Sequence, residues 1–84
     1  MSGGSDPVLE AVRQVVADVL GLRLDQVTPE LSSERHEAWD SQQHLNITLA
    51  LEERFGVEIE PEDYDKLRSV GRIADFVRAR RATG

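Results

Sequence analysis

Apolar residues recur along this chain at helical spacing, and no stretch alternates convincingly as a strand. Val8, Leu9, Val12, Val15, Val16, Val19 and Leu20 follow the i, i+3, i+4, i+7 pattern. This predicts a first helix with one buried face and with Glu10, Arg13, Gln14 and Asp18 turned to water. Asp6-Pro7 supplies an N-cap and a first-turn proline, and Gly21 a stop. A second run, from Ser41 to Gly56, places Ile47, Thr48, Leu51 and Phe55 on one face as its core stripe. In a last helix, opened by Ser69 as cap, Val70, Ile73, Ala74 and Val77 share a face and Phe76 adds bulk.

Between these runs the pattern is weaker. Residues 22–40 form a long connection with Leu22, Leu24, Val27 and Leu31 as intermittent anchors and Thr28-Pro29 as a turn signal. A loop this long in a small domain is usually functional or holds a short helical turn. After Val57 and Ile59, the segment from Glu60 to Leu67 predicts a short helix with acids at its start and Lys66 near its end, as the helix dipole favours. The expected fold is all-α: a small four-helix bundle with three principal helices, one short helix and a long first loop. Residues 1–5 are expected to be disordered, 6–81 to form the folded domain, and 82–84 to fray.

Leu45 and Leu49 fall off the core stripe of the second helix, on the side that carries Gln42 and is bordered by Glu52 and Glu53. Two leucines beside acids read either as the edge of the core or as a patch on which a partner docks. Charge sharpens the second reading. The net charge of -6 conceals a run from residue 37 to 65 with nine acids against Arg54 alone, whereas residues 66–84 are net positive. An acidic middle repels nucleic acid and steers basic protein partners; its bland counterpart is a solvated face kept for solubility.

Composition removes several kinds of chemistry. The 84 residues leave room for one domain and little for a deep substrate pocket. Cysteine is absent, so disulfides and thiolate zinc sites are excluded, and two histidines cannot cage a metal. The acids of residues 60–65 lack the ligand spacing and central glycine of an EF-hand loop. No apolar stretch approaches the roughly 20 residues of a membrane span, and the start lacks the regions of a signal peptide. A soluble, cytoplasmic, free-standing monomer is the expectation.

The chemistry concentrates at Trp39-Asp40-Ser41. Asp40 caps the second helix, with Gln43 three residues on completing a capping-box pattern, and the Ser41 hydroxyl lies at the helix's positive end. Unpaired first-turn N–H groups make that spot favourable for a phosphoester on Ser41. A different class of reading pairs Ser41 with His44, three residues along the helix, as a small serine hydrolase. Against it stand the absence of glycine around the serine and of an evident oxyanion hole. His36, in a polar stretch, reads as an ordinary solvent-exposed histidine.

The order of helix, long loop, Asp40-Ser41 at a helix start, Leu51-Glu52-Glu53-Arg54-Phe55-Gly56-Val57-Glu58-Ile59, short acidic helix and Ser69-Val70 resembles an acyl carrier protein or the similar peptidyl carrier domains. The resemblance runs from about Asp6 to about Arg81. It implies that a phosphopantetheinyl transferase attaches 4'-phosphopantetheine to Ser41, and that the arm's thiol holds an acyl or aminoacyl group. It also implies a loading ligase and synthase or tailoring enzymes as partners, with Leu45, Leu49, Glu52 and Glu53 as the docking positions. Fatty acid, polyketide, amino acid and hydroxy acid cargoes all fit. Two residues depart from the common pattern: Gln42 stands where leucine is frequent, and Trp39 where a small residue is. Gln42 is accordingly expected to bear on which transferase accepts the protein, and Trp39 to anchor the loop on the core. An unmodified interaction module that kept the fold and lost the arm is the remaining alternative.

Overall fold

The computed structural model describes residues 6–83, with side chains through Arg81. The disorder expected of residues 1–5 and the end at Gly84 lie outside them. The principal helices are α1 (Pro7–Leu20), α2 (Ser41–Phe55) and α3 (Val70–Thr83), with a short 3-10 helix at Pro61–Leu67 and a 3-10 turn at Leu24–Gln26. Among the described residues there is no strand, only an isolated bridge between Ser32 and Ser69.

The helix boundaries follow from capping chemistry. Asp6 Oδ1 accepts from the amides of Val8 and Leu9 at 3.0 and 3.4 Å, satisfying donors that the first turn leaves unpaired. Gly21 and Gly56, at φ of 70° and 65°, end α1 and α2 in the left-handed conformation that L side chains disfavour. Ser69 Oγ accepts from the Arg72 amide at 3.2 Å and opens α3. The other carboxylate oxygen of Asp6 accepts from Arg78, tying the start of α1 to α3. That bond holds the Asp6 carboxyl below the ordinary carboxylate range. Its stabilisation is therefore full above the ordinary aspartate value and is lost as pH falls through the lowered one.

Val12, Val16, Ile47, Leu51, Ile73 and Val77 meet between the three helices with no solvent exposure. Phe55, expected in the stripe, is half-buried at its edge, and Phe76 is half-buried with the Arg80 guanidinium 4.6 Å above its ring. Arg13, expected in water, instead donates from Nε to the Val27 carbonyl at 2.6 Å and from Nη2 to the Leu24 carbonyl at 2.9 Å. Its long stem crosses the edge of α1, so a residue that periodicity puts outside pins the first loop. Leu24 thus anchors through its carbonyl, while its side chain is exposed; Val27 and Leu31 are the buried anchors.

Farther along, the loop is zipped to the start of α3. The amides of Val70 and Gly71 donate to the carbonyls of Leu31 and Pro29, each at 3.0 Å, and the Ser33 amide donates to the Arg68 carbonyl at 2.9 Å. These bonds consume donors that a helix start leaves open. The acids of the short helix are not all solvated. Asp63 is buried, accepting from Arg80 at 2.9 Å and from the Glu60 amide at 3.3 Å.

Candidate functional site

The first turn of α2 is built from both sides. Trp39, at 2% exposure, packs its indole into the core and fixes the chain immediately before the helix, as expected of a loop anchor. Asp40 then caps α2, its Oδ1 accepting from the Gln43 amide at 2.9 Å. The capping box is only half formed. The Gln43 side chain turns away to donate to the Val19 carbonyl at 3.4 Å and to accept from Asn46 at 2.8 Å, which joins α2 to the end of α1.

Ser41 is the first residue of α2 and is exposed, as is Gln42 beside it. Among the described residues neither its hydroxyl nor the amides of Ser41 and Gln42 have a hydrogen-bond partner. A hydroxyl open to solvent beside two unengaged N–H groups at a helix's positive end suits a phosphodiester sterically and electrostatically. The Asp40 carboxylate offsets part of that attraction.

His44, by contrast, is not available to Ser41. Its side chain is fully buried, and both ring nitrogens are engaged: Nδ1 accepts from Trp39 Nε1–H at 3.0 Å, and Nε2 lies 2.8 Å from the Tyr64 carbonyl. A general base needs a free nitrogen within reach of the hydroxyl proton. The structure therefore overturns the Ser41–His44 hydrolase. His36 is also less free than expected, since it is half-buried and its Nδ1 accepts from the Ala38 amide at 3.1 Å.

On the outer face of α2, Leu45 and Leu49 are 43% and 54% exposed. With Ile59, Pro61 and Tyr64 they line a shallow groove between α2 and the short helix. Glu52 borders that groove but is half-buried, its Oε2 accepting from the Ile59 amide at 3.0 Å. Glu53 lies on the other side of the Leu49 ridge, facing a groove against α1 lined by Val15, Asp18 and Val19. The two glutamates, adjacent in sequence, thus address different grooves. Among the described residues no group of three or more His, Cys, Asp or Glu side chains is arranged to hold a metal, and no helix is long and apolar enough to cross a membrane.

A small helical bundle that exposes one serine at a helix start, with the neighbouring histidine locked in the core, has the form of a carrier modified from outside. The comparisons with known proteins agree. A family model described as "phosphopantetheine attachment site" matches residues 10–77. The chain is 40% identical over 70 residues to an acyl carrier protein of Thermosynechococcus vestitus (strain NIES-2133 / IAM M-273 / BP-1), covering 83% of this chain and 86% of that protein. The fold is similar to the solved structure of an acyl carrier protein from Enterococcus faecalis, with a TM-score of 0.70 and 31% identity, covering 88% of this chain and 94% of that one. The chain belongs to the acyl carrier protein family, with its phosphopantetheine-attachment domain. It is a non-catalytic carrier whose cofactor is covalently attached 4'-phosphopantetheine.

Proposed function

We propose that Ser41 carries the 4'-phosphopantetheine arm and that the arm holds an acyl or aminoacyl intermediate as a thioester for a series of partner enzymes. The observation that supports this most is the exposed Ser41 hydroxyl at the first position of α2, beside two unengaged amides. The helix end favours a phosphodiester there by only about 0.3–1 kcal/mol. Specificity must therefore come from the transferase, which reads the loop and the helix around the serine. With no cysteine in the chain, the thiol arrives with the cofactor.

The charge distribution supports basic partners. Four of the six cations after residue 65 are held within the fold: Lys66 and Arg80 by Asp63, Arg68 by Asp65, and Arg78 by Asp6 and Asp75. Among the described residues Glu53, Glu58 and Glu62 make no ion pair, so the acidic field around α2 is left uncompensated. We place docking of the transferase, a loading ligase and synthase or tailoring enzymes on Gln42, Leu45, Leu49, Glu52 and Glu53. Part of the same proposal is that the carrier works in the cytoplasm as a monomer.

Incubation with coenzyme A and a broad-specificity transferase is expected to add one phosphopantetheine group, seen by intact-protein mass spectrometry. Ser41→Ala is expected to abolish the addition with helix content unchanged. A wild-type chain left unmodified under conditions that convert an ordinary carrier favours the interaction module without an arm. Modification that persists in Ser41→Ala places the arm elsewhere.

A further inference from the structure

The buried group that the carrier function leaves unused is His44. Its two hydrogen bonds admit a single protonation state. Indole N–H donates only, so Nδ1 must present its lone pair to Trp39; a backbone carbonyl accepts only, so Nε2 must carry the proton given to Tyr64. The ring is neutral in that state, and no buried side-chain polar atom among the described residues is left unsatisfied.

Topology gives this pair of bonds its consequence. The Trp39–His44 bond closes a ring of chain around Asp40, Ser41, Gln42 and Gln43, the segment that holds the modified hydroxyl. The bond to Tyr64 fastens that ring to the short helix, whose Tyr64 side chain packs edge-on against the imidazole at 4.6 Å between centroids.

We propose that Trp39, His44 and the Tyr64 carbonyl form a clamp that sets how Ser41 is presented to the transferase, with His44 acting as a positioning residue only in its neutral Nε2–H form, so that acid opens the clamp. This rests on Ser41 being the attachment site. A proton added at Nδ1 would set two donors against each other across 3.0 Å, and one partner must leave. Trp39 is the partner with the loop behind it.

The surroundings favour the neutral ring. Burial pushes the His44 pKa below its ordinary 6.5; the Tyr64 carbonyl raises it, Arg68 lowers it and Asp65 raises it, the last two from the end of the short helix. Asp40 contributes its main-chain carbonyl, bonded to the His44 amide at 2.8 Å, and caps Gln43 with its carboxylate. Below pH 6.5 the unfolded chain takes up a proton that the folded ring resists. Clamp closure and stability are therefore full above that value and fall as pH drops through it toward the lowered one.

The test uses the full apo chain, nitrogen-15 spectra of the imidazole, and transferase kinetics with coenzyme A. At neutral pH the His44 proton is expected on Nε2 with Nδ1 bare. On acidification the ring should protonate below 6.5, in step with a shift of the Trp39 indole resonance and loss of protection at the Gln43 and His44 amides, which are bonded to Asp40. Trp39→Phe removes the opposing donor, so His44 should protonate at a higher pH than in the wild type. The transferase KM for this variant should rise about three- to tenfold with kcat within about twofold, because the presenting conformation is less populated.

His44→Gln keeps a donor for Tyr64 and cannot titrate. The acid-dependent rise in KM, measured against a carrier without this histidine at the same pH, should vanish in it. Should that variant not fold, Trp39→Phe decides the matter alone. A proton found on Nδ1, or a Trp39→Phe protein with wild-type KM and wild-type acid response, overturns the clamp. Failure of the wild type to be modified at any pH overturns the Ser41 assignment instead, and the imidazole spectra still decide the clamp.

Discussion

The inner and outer faces of α2 are separated only by the turn of one helix, yet they obey different rules. Inside, His44, Ile47, Thr48 and Leu51 are buried, and the polar atoms among them are matched: His44 on both nitrogens, Thr48 by donating to the Leu45 carbonyl at 2.7 Å. Outside, Ser41, Gln42, Leu45, Leu49 and Glu53 are exposed, and none of their side chains has a hydrogen-bond or ion-pair partner among the described residues. The inner face holds the bundle together, and the outer face leaves its chemistry open for other molecules. Burial and exposure alternate on this helix through about 100° of rotation per residue, which makes the proposed docking face testable without disturbing the core.

The sharpest contrast is between two leucines. Leu51→Ala leaves a cavity between α1, α2 and α3 and is expected to cost about 2–5 kcal/mol in chemical denaturation, enough to unfold much of so small a domain. Leu49→Ala, two residues earlier, should change stability by less than about 0.5 kcal/mol. Its effect should appear as slower loading by the cognate ligase. Equal stability losses in the two variants would dissolve the distinction between the faces.

The neighbouring glutamates offer a finer cut. Charge reversal at Glu53 should slow loading several-fold, with the effect shrinking as salt shortens the screening length below about 8 Å, and leave unfolding unchanged. Reversal at Glu52 should slow loading and also cost about 1 kcal/mol of stability, because the Ile59 amide loses its acceptor. Loading indifferent to both changes and to salt would remove α2 as the docking face. The smallest expected effect is that of Gln42→Leu: unchanged stability, and a shift in preference between a primary-metabolism transferase and a broad-specificity one. Equal rates in all four combinations would make Gln42 a neutral surface position.

Much of this contrast was legible in the sequence where local chemistry decides. Asp6-Pro7, Gly21, Asp40, Gly56 and Ser69 mark helix ends through interactions within a few residues, and the structure puts the boundaries there. Ser41 at the start of α2 and the leucines off the stripe were readable in the same way. His44 was missed although its signal was present. Positions 44, 47, 48 and 51 form an i, i+3, i+4, i+7 set, so the histidine opens the buried stripe. Its partners are Trp39 and Tyr64, not the Ser41 that lies three residues before it. Arg13, Glu52 and Asp63 were not legible, because their partners are carbonyls, amides and an arginine brought near only by loop conformation and helix packing.

The long crossover between α1 and α2 has a mechanical consequence. It is fastened at Leu24 and Val27 by Arg13, at Pro29 and Leu31 by the start of α3, at Ser33 by the Arg68 carbonyl, and at Trp39 by His44. A connection pinned at such short intervals is a brace and has little slack to extend as a tether. If the arm is rooted at Ser41, the travel of the cargo comes from rotation about the single bonds of the cofactor, while the polypeptide is a rigid handle. Successive enzymes must then bring their active sites within one arm's length of the same helix end, so the spacing of a hand-over is dictated by the cofactor.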